Sequence, residues 1–474
     1  MARLPWQEHQ NNECSTKTVS SKSEQPIEIN RFSDLENLYR DFGIAIVYVK
    51  HLARKQDNDK NQIYFGSLAG SLTHLLPNRI LPPRHSSTST KKRQSRSGEA
   101  IVEAQVEFFW IDRKKHLHLA PHTKLIDYFQ YPEMRMSGFL KDCANPPDSL
   151  RRTKLDQYGK RILTFGVSST GEVLGFVLTE KTDSLVANFP ELPQHRSVPM
   201  LRVFSVSPGA AAEQSSPKDH LCVKLKKIVA GGWHPGLILR AGSSIPQPYK
   251  ANNAGGMTIE ALLGIPANSN RKADLYDYEI KTYKTGKTSL ITTHPDSGRI
   301  TECDFRSFMK SYGWPDRHGK KTVFNGQVSC NKPNKGHGWE LTVKGYDPQT
   351  DRFCSDPEQI NVLLRERDSS EILCGWSFVK LMEAWTNKHA QAVYIKYQKS
   401  VEANNYRYDE AAYLCHGTDW QMFLRALIAG VVLYDPGHEL SPDGITKTRH
   451  QWKTKITASN LAQLYHEVKT ETLT

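Results

Sequence analysis

Two carboxylates and one lysine stand close together within residues 274–282. Asp274 is followed after four residues by Glu279, and one further residue separates Glu279 from Lys281. The aromatic and β-branched residues around them favour an extended backbone, whose side chains alternate between two faces. Glu279 and Lys281 are therefore predicted to be neighbours on one face of a strand, with Asp274 just before it. Such a group can hold a divalent metal and an attacking water, although a solvated charge pair at a strand edge would have the same spacing.

The composition indicates a soluble protein with a polyanionic partner. The 474 residues are enough for two or three domains, and 38% are hydrophobic while 24% are charged. A net charge of +13 and a pI near 9.2 make nucleic acid the first candidate for the partner. The alternative is that the charge serves solubility alone.

The sequence also predicts where the protein works. No apolar run is long enough to span a bilayer, and the first residues lack the apolar core of a signal peptide. The eight cysteines include no Cys-x-x-Cys pair, which argues against a structural zinc site or a disulfide framework. A reducing cytoplasm without membrane association is therefore expected.

Strand signals dominate the first part of the chain, and we interpret residues 1–204 as a mainly β domain. A hairpin turn is expected over residues 168–172, between two runs of apolar residues. Residues 205–220 are rich in Ser, Pro, Gly and Ala and have the composition of a linker. The predicted strands cover residues 43–49, 63–65, 100–110, 161–167 and 173–178.

Helix and strand signals alternate over residues 221–474, which predicts an α/β domain. A first helix is expected over residues 221–230 and should end at the pair Gly231-Gly232. A second helix is expected to begin near Thr258 and to lead directly to the strand of Glu279 and Lys281.

The segment from 255 to 282 resembles the helix-then-strand signature of MutH-like and MvaI/BcnI-type DNA endonucleases. In these PD-(D/E)xK nucleases a Gly-x-Thr-x-Glu-x-Leu-Leu helix precedes an acid, a short spacer and Glu-x-Lys. The resemblance covers roughly residues 221 to 470. Further segments similar to the MvaI/BcnI branch are Gly231-Gly232-Trp233-His234, Lys287-Thr288-Ser289-Leu290, Trp376-Ser377-Phe378 and Thr446-Lys447-Thr448-Arg449-His450.

The resemblance implies a role for each residue of the motif. Asp274 and Glu279 would bind Mg2+ together with the backbone carbonyl of Ile280. Lys281 would orient or deprotonate the attacking water and stabilise the charge that develops on the phosphate. Glu260 stands where MutH-like enzymes place a further acid, and a helix-surface or capping role is its alternative.

The C-terminal basic segment is predicted to read the target DNA. Lys447, Arg449 and His450 are the candidates, because basic side chains match the acceptor pair of guanine. Asp435 could accept a hydrogen bond from the amino group of cytosine. The alternative for the lysine and the arginine is a phosphate contact without sequence information.

Residues 50–65 and 131–139 resemble the two DNA-binding arms of the B3-like effector domains of EcoRII-type enzymes. B3-like domains are small β pseudobarrels that grip the major groove with two such arms. An ordinary solvated loop is the alternative for the first arm. The candidate DNA-binding residues are Lys50, Arg54, Gln56, Asp57, Asn58, Asn61, Gln62, Glu133 and Arg135.

Together these features predict a monomeric type IIE restriction endonuclease of a prokaryotic cytoplasm. It would cut double-stranded DNA at a 5′-CCWGG-3′-like site with Mg2+ and bind a second copy of the site through its N-terminal domain. The alternative target is a 5′-CCSGG-3′ site, with G or C instead of A or T at the central position. The alternatives are a MutH-like repair endonuclease that nicks one strand and a non-catalytic B3-like DNA-binding regulator.

Overall fold

Two mainly antiparallel sheets form the N-terminal half of the computed structural model. The structure describes residues 26–53, 62–66, 76–81, 84–85, 100–128, 133–151, 154, 157–168, 171–195, 198, 200–206, 217–267, 275, 278–334, 336–369 and 371–474. Its first helix is α1 (Phe32–Asp41). The strands of this half are β1 (Ile46–Leu52), β2 (Gln62–Gly66), β3 (Arg79–Ile80), β4 (Arg84–His85), β5 (Ala100–Gln105), β6 (Phe108–Ile111), β7 (Leu117–Leu119), β8 (Lys124–Tyr128), β9 (Glu133–Ser137), β10 (Arg161–Val167), β11 (Val173–Thr179) and β12 (Arg202–Ser205).

These strands form two sheets, in the orders β12-β1-β10-β11-β6-β7 and β2-β9-β8-β5-β3, with β4 paired to β5. Among the described pairings of this half, only that of β6 with β11 is parallel. The predicted hairpin is confirmed, since β10 and β11 pair antiparallel up to Val167 and Val173. The predicted strand over residues 100–110 was wrong in one respect, because it is divided into β5 and β6. The backbone N–H of Val106 bonds to Thr123 while Glu107 accepts from Val173, so the chain crosses between the sheets there.

The C-terminal half is mixed α/β, as predicted. Its helices are α2 (Pro217–Ala230), α3 (Ala254–Leu263), α4 (Arg299–Glu302), α5 (Phe305–Tyr312), α6 (Phe378–His389), α7 (Trp420–Ile428) and α8 (Ala458–Leu461). Its strands are β13 (His234–Pro235), β14 (Leu237–Ile238), β15 (Gln247–Pro248), β16 (Glu279–Tyr283), β17 (Lys287–Thr292), β18 (Trp314–Pro315), β19 (Thr322–Asn325), β20 (Val328–Ser329), β21 (Trp339–Lys344), β22 (Tyr346–Asp347), β23 (Arg352–Phe353), β24 (Asn361–Glu366), β25 (Ile372–Ser377), β26 (Gln391–Lys399), β27 (Asn405–His416), β28 (Leu433–Leu440), β29 (Thr446–Lys447), β30 (His450–Lys455) and β31 (Glu467–Thr472).

Two sheets of this half carry the predicted site residues. The central sheet has the order β13-β27-β26-β16, with β31 paired to β27. The polar sheet has the order β17-β30-β28-β19-β18, with β20 and β29 paired to β28. A third sheet, β21-β24-β25, leads into α6.

Helix α3 begins four residues before the predicted start at Thr258, at Ala254. The difference arises at Gly255, which looks like a helix breaker in the sequence but lies within the helix. A side chain at Gly255 would overlap the ring of Tyr397 on β26, so glycine permits close packing there. Gly264 ends the helix in the left-handed conformation at φ 80°, as a C-terminal glycine commonly does.

The two halves of the chain contact each other through α6 and the turn before β24. Strand β3 contacts α6, and β5 contacts the turn Pro357–Gln359. Apolar side chains of both halves, among them Val102 and Trp376, belong to one buried cluster. Within the described part of the chain, no helix has the length and hydropathy needed to cross a membrane.

Candidate active site

Strand β16 places Glu279 and Lys281 side by side. The strand pairs in parallel with β26, and Lys281 lies opposite Tyr394. The Lys281 Nζ donates to Glu279 Oε1 over 2.6 Å, so the predicted placement on one face of a strand is confirmed. Just before the strand, Leu275 and Tyr278 exchange both backbone hydrogen bonds, which folds the chain back directly ahead of Glu279.

Glu279 is a buried carboxylate held in its charged form. Glu279 is only 2% exposed to solvent. Burial alone would raise the pKa of Glu279, but the positive charges of Lys281 and Lys388 hold that pKa below its ordinary value. Glu279 therefore stays ionised at neutral pH.

One oxygen of this carboxylate suits a metal ion. Glu279 Oε2 is buried and accepts no hydrogen bond from the described residues. A buried oxygen left without a partner is unfavourable, and a hard divalent cation prefers such a carboxylate oxygen. The described residues hold no group of three acidic, His or Cys side chains arranged for a metal, and the predicted ligand Asp274 lies outside them.

Lys388 is a site residue that the sequence analysis missed. It lies in the last turn of α6, and its Nζ is 3.7 Å from Glu279 Oε1. Its side chain is 30% exposed, so a substrate can still reach the ammonium. Two lysines beside one carboxylate can stabilise negative charge that develops on a phosphate oxygen.

Nothing near Lys388 in the sequence indicates this role, because it follows Glu279 by more than a hundred residues. The parallel pairing of β16 with β26 brings it close, since α6 leads directly into β26. Glu260 lies half-buried on α3, which contacts β16. A catalytic role for Glu260 stays a prediction.

The predicted DNA-reading residues lie on the polar sheet, with different exposure. Arg449 is exposed, while its backbone N–H donates to His438 Nδ1 over 3.2 Å. Lys447 is exposed, with its Nζ 3.4 Å from Glu439. Both cations can therefore reach a ligand, Lys447 from β29 and Arg449 from the connection between β29 and β30.

His450 lies on the opposite, inner side of the polar sheet. It is 1% exposed, and its Nδ1 is within hydrogen-bond distance of the Tyr434 hydroxyl, at 2.7 Å. Burial lowers the pKa of His450 to about 2, so the ring is neutral. The buried, neutral imidazole can support the backbone next to Arg449. For His450 to contact a base directly, its ring would have to leave the core of the sheet.

Asp435 belongs to a polar network on the outward face of the same sheet. Its Oδ2 lies 2.7 Å from Lys453 Nζ and accepts from Gln327 Nε2 over 3.4 Å. Gln327 Oε1 in turn accepts from Lys287 Nζ over 2.6 Å. Gln327 and Lys453 were missed by the sequence analysis, because only the folded sheet brings them beside Asp435.

In the N-terminal half, three predicted arm residues contact one another. Arg135 donates to Gln62 over 3.0 Å and also bonds to Glu133, across the pairing of β2 with β9. Lys50 is 7% exposed on β1, and burial lowers its pKa. The other predicted arm residues lie outside the described residues: Arg54, Gln56, Asp57, Asn58 and Asn61.

Comparison with known proteins identifies relatives of the C-terminal half. Residues 222–465 match the model of the MvaI/BcnI restriction endonuclease family, a span of more than half of the chain. The structure of the restriction endonuclease MvaI–cognate DNA substrate complex is 18% identical with a TM-score of 0.42, covering 55% of this chain and all of that one. MvaI in the absence of DNA gives 18% identity and a TM-score of 0.30, covering 55% and 99%. No curated protein matches the chain.

Replacing Lys388 by methionine should slow DNA cleavage by roughly a hundredfold, because it removes one cation from the developing charge. Cognate DNA affinity should change little. Lys380→Met is the matched control, since Lys380 lies in the first turn of the same helix. Single-turnover cleavage rates check this, and equal rates for the two variants would contradict a role for Lys388.

Proposed function

Because the chain belongs to the MvaI/BcnI restriction endonuclease family, we propose that it is a type II deoxyribonuclease cutting both strands at a 5′-CCWGG-like site with Mg2+. Family membership makes it a DNA-cleaving restriction enzyme, and enzymes of this family use divalent metal ions. The observation that carries the proposal is the buried Glu279 carboxylate. Its Oε2 accepts no hydrogen bond from the residues that the structure describes, and its Oε1 lies 2.6 Å from Lys281 Nζ.

In this proposal Asp274, Glu279 and the carbonyl of Ile280 hold Mg2+. When bound, the ion lowers the pKa of a water and neutralises charge on the scissile phosphate. Lys281 donates a hydrogen bond to the attacking water or to a non-bridging phosphate oxygen. Lys388 adds a second positive charge beside the same carboxylate.

These roles favour restriction over the two alternative functions. A degenerate regulator would have no reason to keep a buried, ionised Glu279 between two lysines, since such a group is costly without a ligand. A strand-nicking repair enzyme shares the motif, but the matched family consists of restriction endonucleases. Plasmid digestion distinguishes the three functions. A restriction enzyme gives discrete fragments, a strand-nicking repair enzyme gives nicked circles, and a regulator leaves the DNA unchanged.

The variants Lys281→Ala and Asp274→Ala should keep their DNA affinity and lose Mg2+-dependent cleavage by at least about a thousandfold. Lys284→Ala is the matched control, because Lys284 is an exposed lysine directly after the same strand. Plasmid cleavage and DNA-binding titrations measure the two effects. Retained cutting by either of the first two variants would refute the assignment.

The outward face of the polar sheet supports DNA reading in the proposal. Arg449 and Lys447 would donate to guanine, and Asp435 would accept from cytosine. Gln327 and Lys453 both contact Oδ2 of the Asp435 carboxylate. A carboxylate that is already fixed binds its partner more tightly than a mobile one, because less rotamer entropy is lost on binding.

The variant Arg449→Ala should weaken binding to the cognate duplex by about 1–3 kcal/mol, and binding to random sequence far less. Lys455→Ala, which removes an exposed cation from the end of β30, serves as the control and should leave the ratio of the two affinities unchanged. Competition titrations at one salt concentration measure that ratio. Equal losses on both duplexes for Arg449→Ala would assign a phosphate contact instead.

For the N-terminal half, we propose a B3-like domain that binds a second copy of the site and stimulates cutting by the same chain, as in type IIE enzymes. The two mainly antiparallel sheets of this half and the net positive charge of the chain support this. The contact between β3 and α6 supplies a connection to the helix of Lys388. The enzyme would act as a monomer.

Added uncleavable cognate duplex should stimulate the full-length enzyme on a single-site substrate by about 5- to 150-fold, the usual range of coupling between sites. The double variant Arg54→Ala/Asn58→Ala should abolish the stimulation and keep the basal rate. Lys114→Ala, at an exposed lysine of the same half, should respond like the wild type. Undiminished stimulation in the double variant would exclude the first arm as the effector site.

A further inference from the structure

A buried chain of hydrogen bonds lies behind Glu279 and Lys281. The hydroxyls of Tyr394 and Tyr465 are 2.8 Å apart, and the Tyr465 hydroxyl is 2.6 Å from His389 Nδ1. His389 Nε2 is 3.1 Å from the carbonyl oxygen of Leu290. All three side chains are at most 1% exposed.

The direction of this chain is fixed by its last member. A carbonyl oxygen can only accept, so His389 Nε2 carries the hydrogen and Nδ1 is the acceptor. Tyr465 therefore donates to His389, and Tyr394 donates to Tyr465. Burial lowers the pKa of His389 to about 3, which agrees with a neutral ring.

Aromatic packing holds the imidazole in place. Trp385 stacks on His389 with centroids 4.2 Å apart and planes 8° from parallel. The Trp385 indole donates to Thr418 over 3.1 Å, and Thr418 donates to the carbonyl of Leu464 over 2.6 Å. The network thus connects α6 to the segment that precedes β31.

Two members of the network adjoin the residues of the active site. His389 directly follows Lys388, whose Nζ is 3.7 Å from Glu279 Oε1. Tyr394 lies opposite Lys281 in the pairing of β26 with β16. A displacement of His389 would therefore carry Lys388 away from Glu279, and a displacement of Tyr394 would shift β26 against β16.

We propose that His389, Tyr465 and Tyr394 are positioning residues for DNA hydrolysis, which fix the end of α6 against the strand of Glu279 and Lys281. The inference rests on the proposed nuclease function. All three side chains are buried, so they act through Lys388 and Lys281. Misplacement of a reacting group by about 1 Å can lower a rate by about a hundredfold.

The variant Tyr465→Phe tests the central link, because it removes the donor to His389 and the acceptor for Tyr394. The single-turnover cleavage rate should fall by about 10- to 100-fold, while cognate DNA affinity stays within about twofold of wild type. Tyr394→Phe should have a smaller effect. The double variant should equal Tyr465→Phe alone, because both changes break one network.

Two substitutions of His389 distinguish the effect of its hydrogen bonds from the effect of its ring packing on Trp385. His389→Phe keeps an aromatic ring against Trp385 and removes both hydrogen bonds, so it should cleave as slowly as Tyr465→Phe. His389→Gln can accept from Tyr465 and donate to Leu290, so it should recover part of the rate. Equal rates for the two variants would overturn the inference.

A matched control removes the same hydroxyl elsewhere in the nuclease half. Tyr408 is 1% exposed, and its hydroxyl donates to the carbonyl of Gly255 over 2.7 Å. Tyr408→Phe should lower the denaturation midpoint about as much as Tyr465→Phe does, since each removes one buried hydroxyl, with an unchanged cleavage rate. A rate loss in Tyr408→Phe as large as in Tyr465→Phe would indicate general destabilisation and overturn the inference.

Amide hydrogen exchange supplies a readout that needs no activity. Tyr465→Phe should speed exchange over residues 386–396 more than Tyr408→Phe does, because the end of α6 loses its anchor. Equal exchange in the two variants would overturn the inference. A wild-type protein that cuts no DNA would refute the proposed function instead, whatever the exchange rates are.

Discussion

The buried ion pair between Glu279 and Lys281 is the interaction on which the rest of the nuclease half depends. A carboxylate at 2% exposure stays ionised only where cations lie close to it. Lys281 comes from the same strand, but Lys388 comes from the end of α6. The charge of one side chain therefore requires that α6, β16 and β26 keep their relative positions.

The two faces of the polar sheet differ in role: the inner face packs into the core, and the outward face carries polar side chains. Its inner face buries aromatic side chains such as Tyr434 and Trp452, and the neutral ring of His450 packs among them. Its outward face carries Asp435 on β28, and the exposed Arg449 directly precedes the neighbouring strand β30. Strand alternation thus gives exposed polar groups a rigid base, which is what discrimination between base pairs requires.

Local patterns in the sequence predicted the strand of Glu279 and Lys281, since a period of two is visible within five residues. They could not predict Lys388, because its proximity depends on the pairing of strands far apart in the chain. The burial of His450 was also missed. Basic residues cluster around it in the sequence, but alternation along the strand decides which of them face inward.

Helix α6 contacts elements of both halves of the chain. It contacts β3 on the N-terminal side, and its last turn brings Lys388 to Glu279. The two halves therefore contact each other although residues 205–220, between them in the sequence, have the composition of a linker. Grafting a different N-terminal module onto this nuclease would expose or reshape the surface of its own active-site helix, so the halves are constrained to change together.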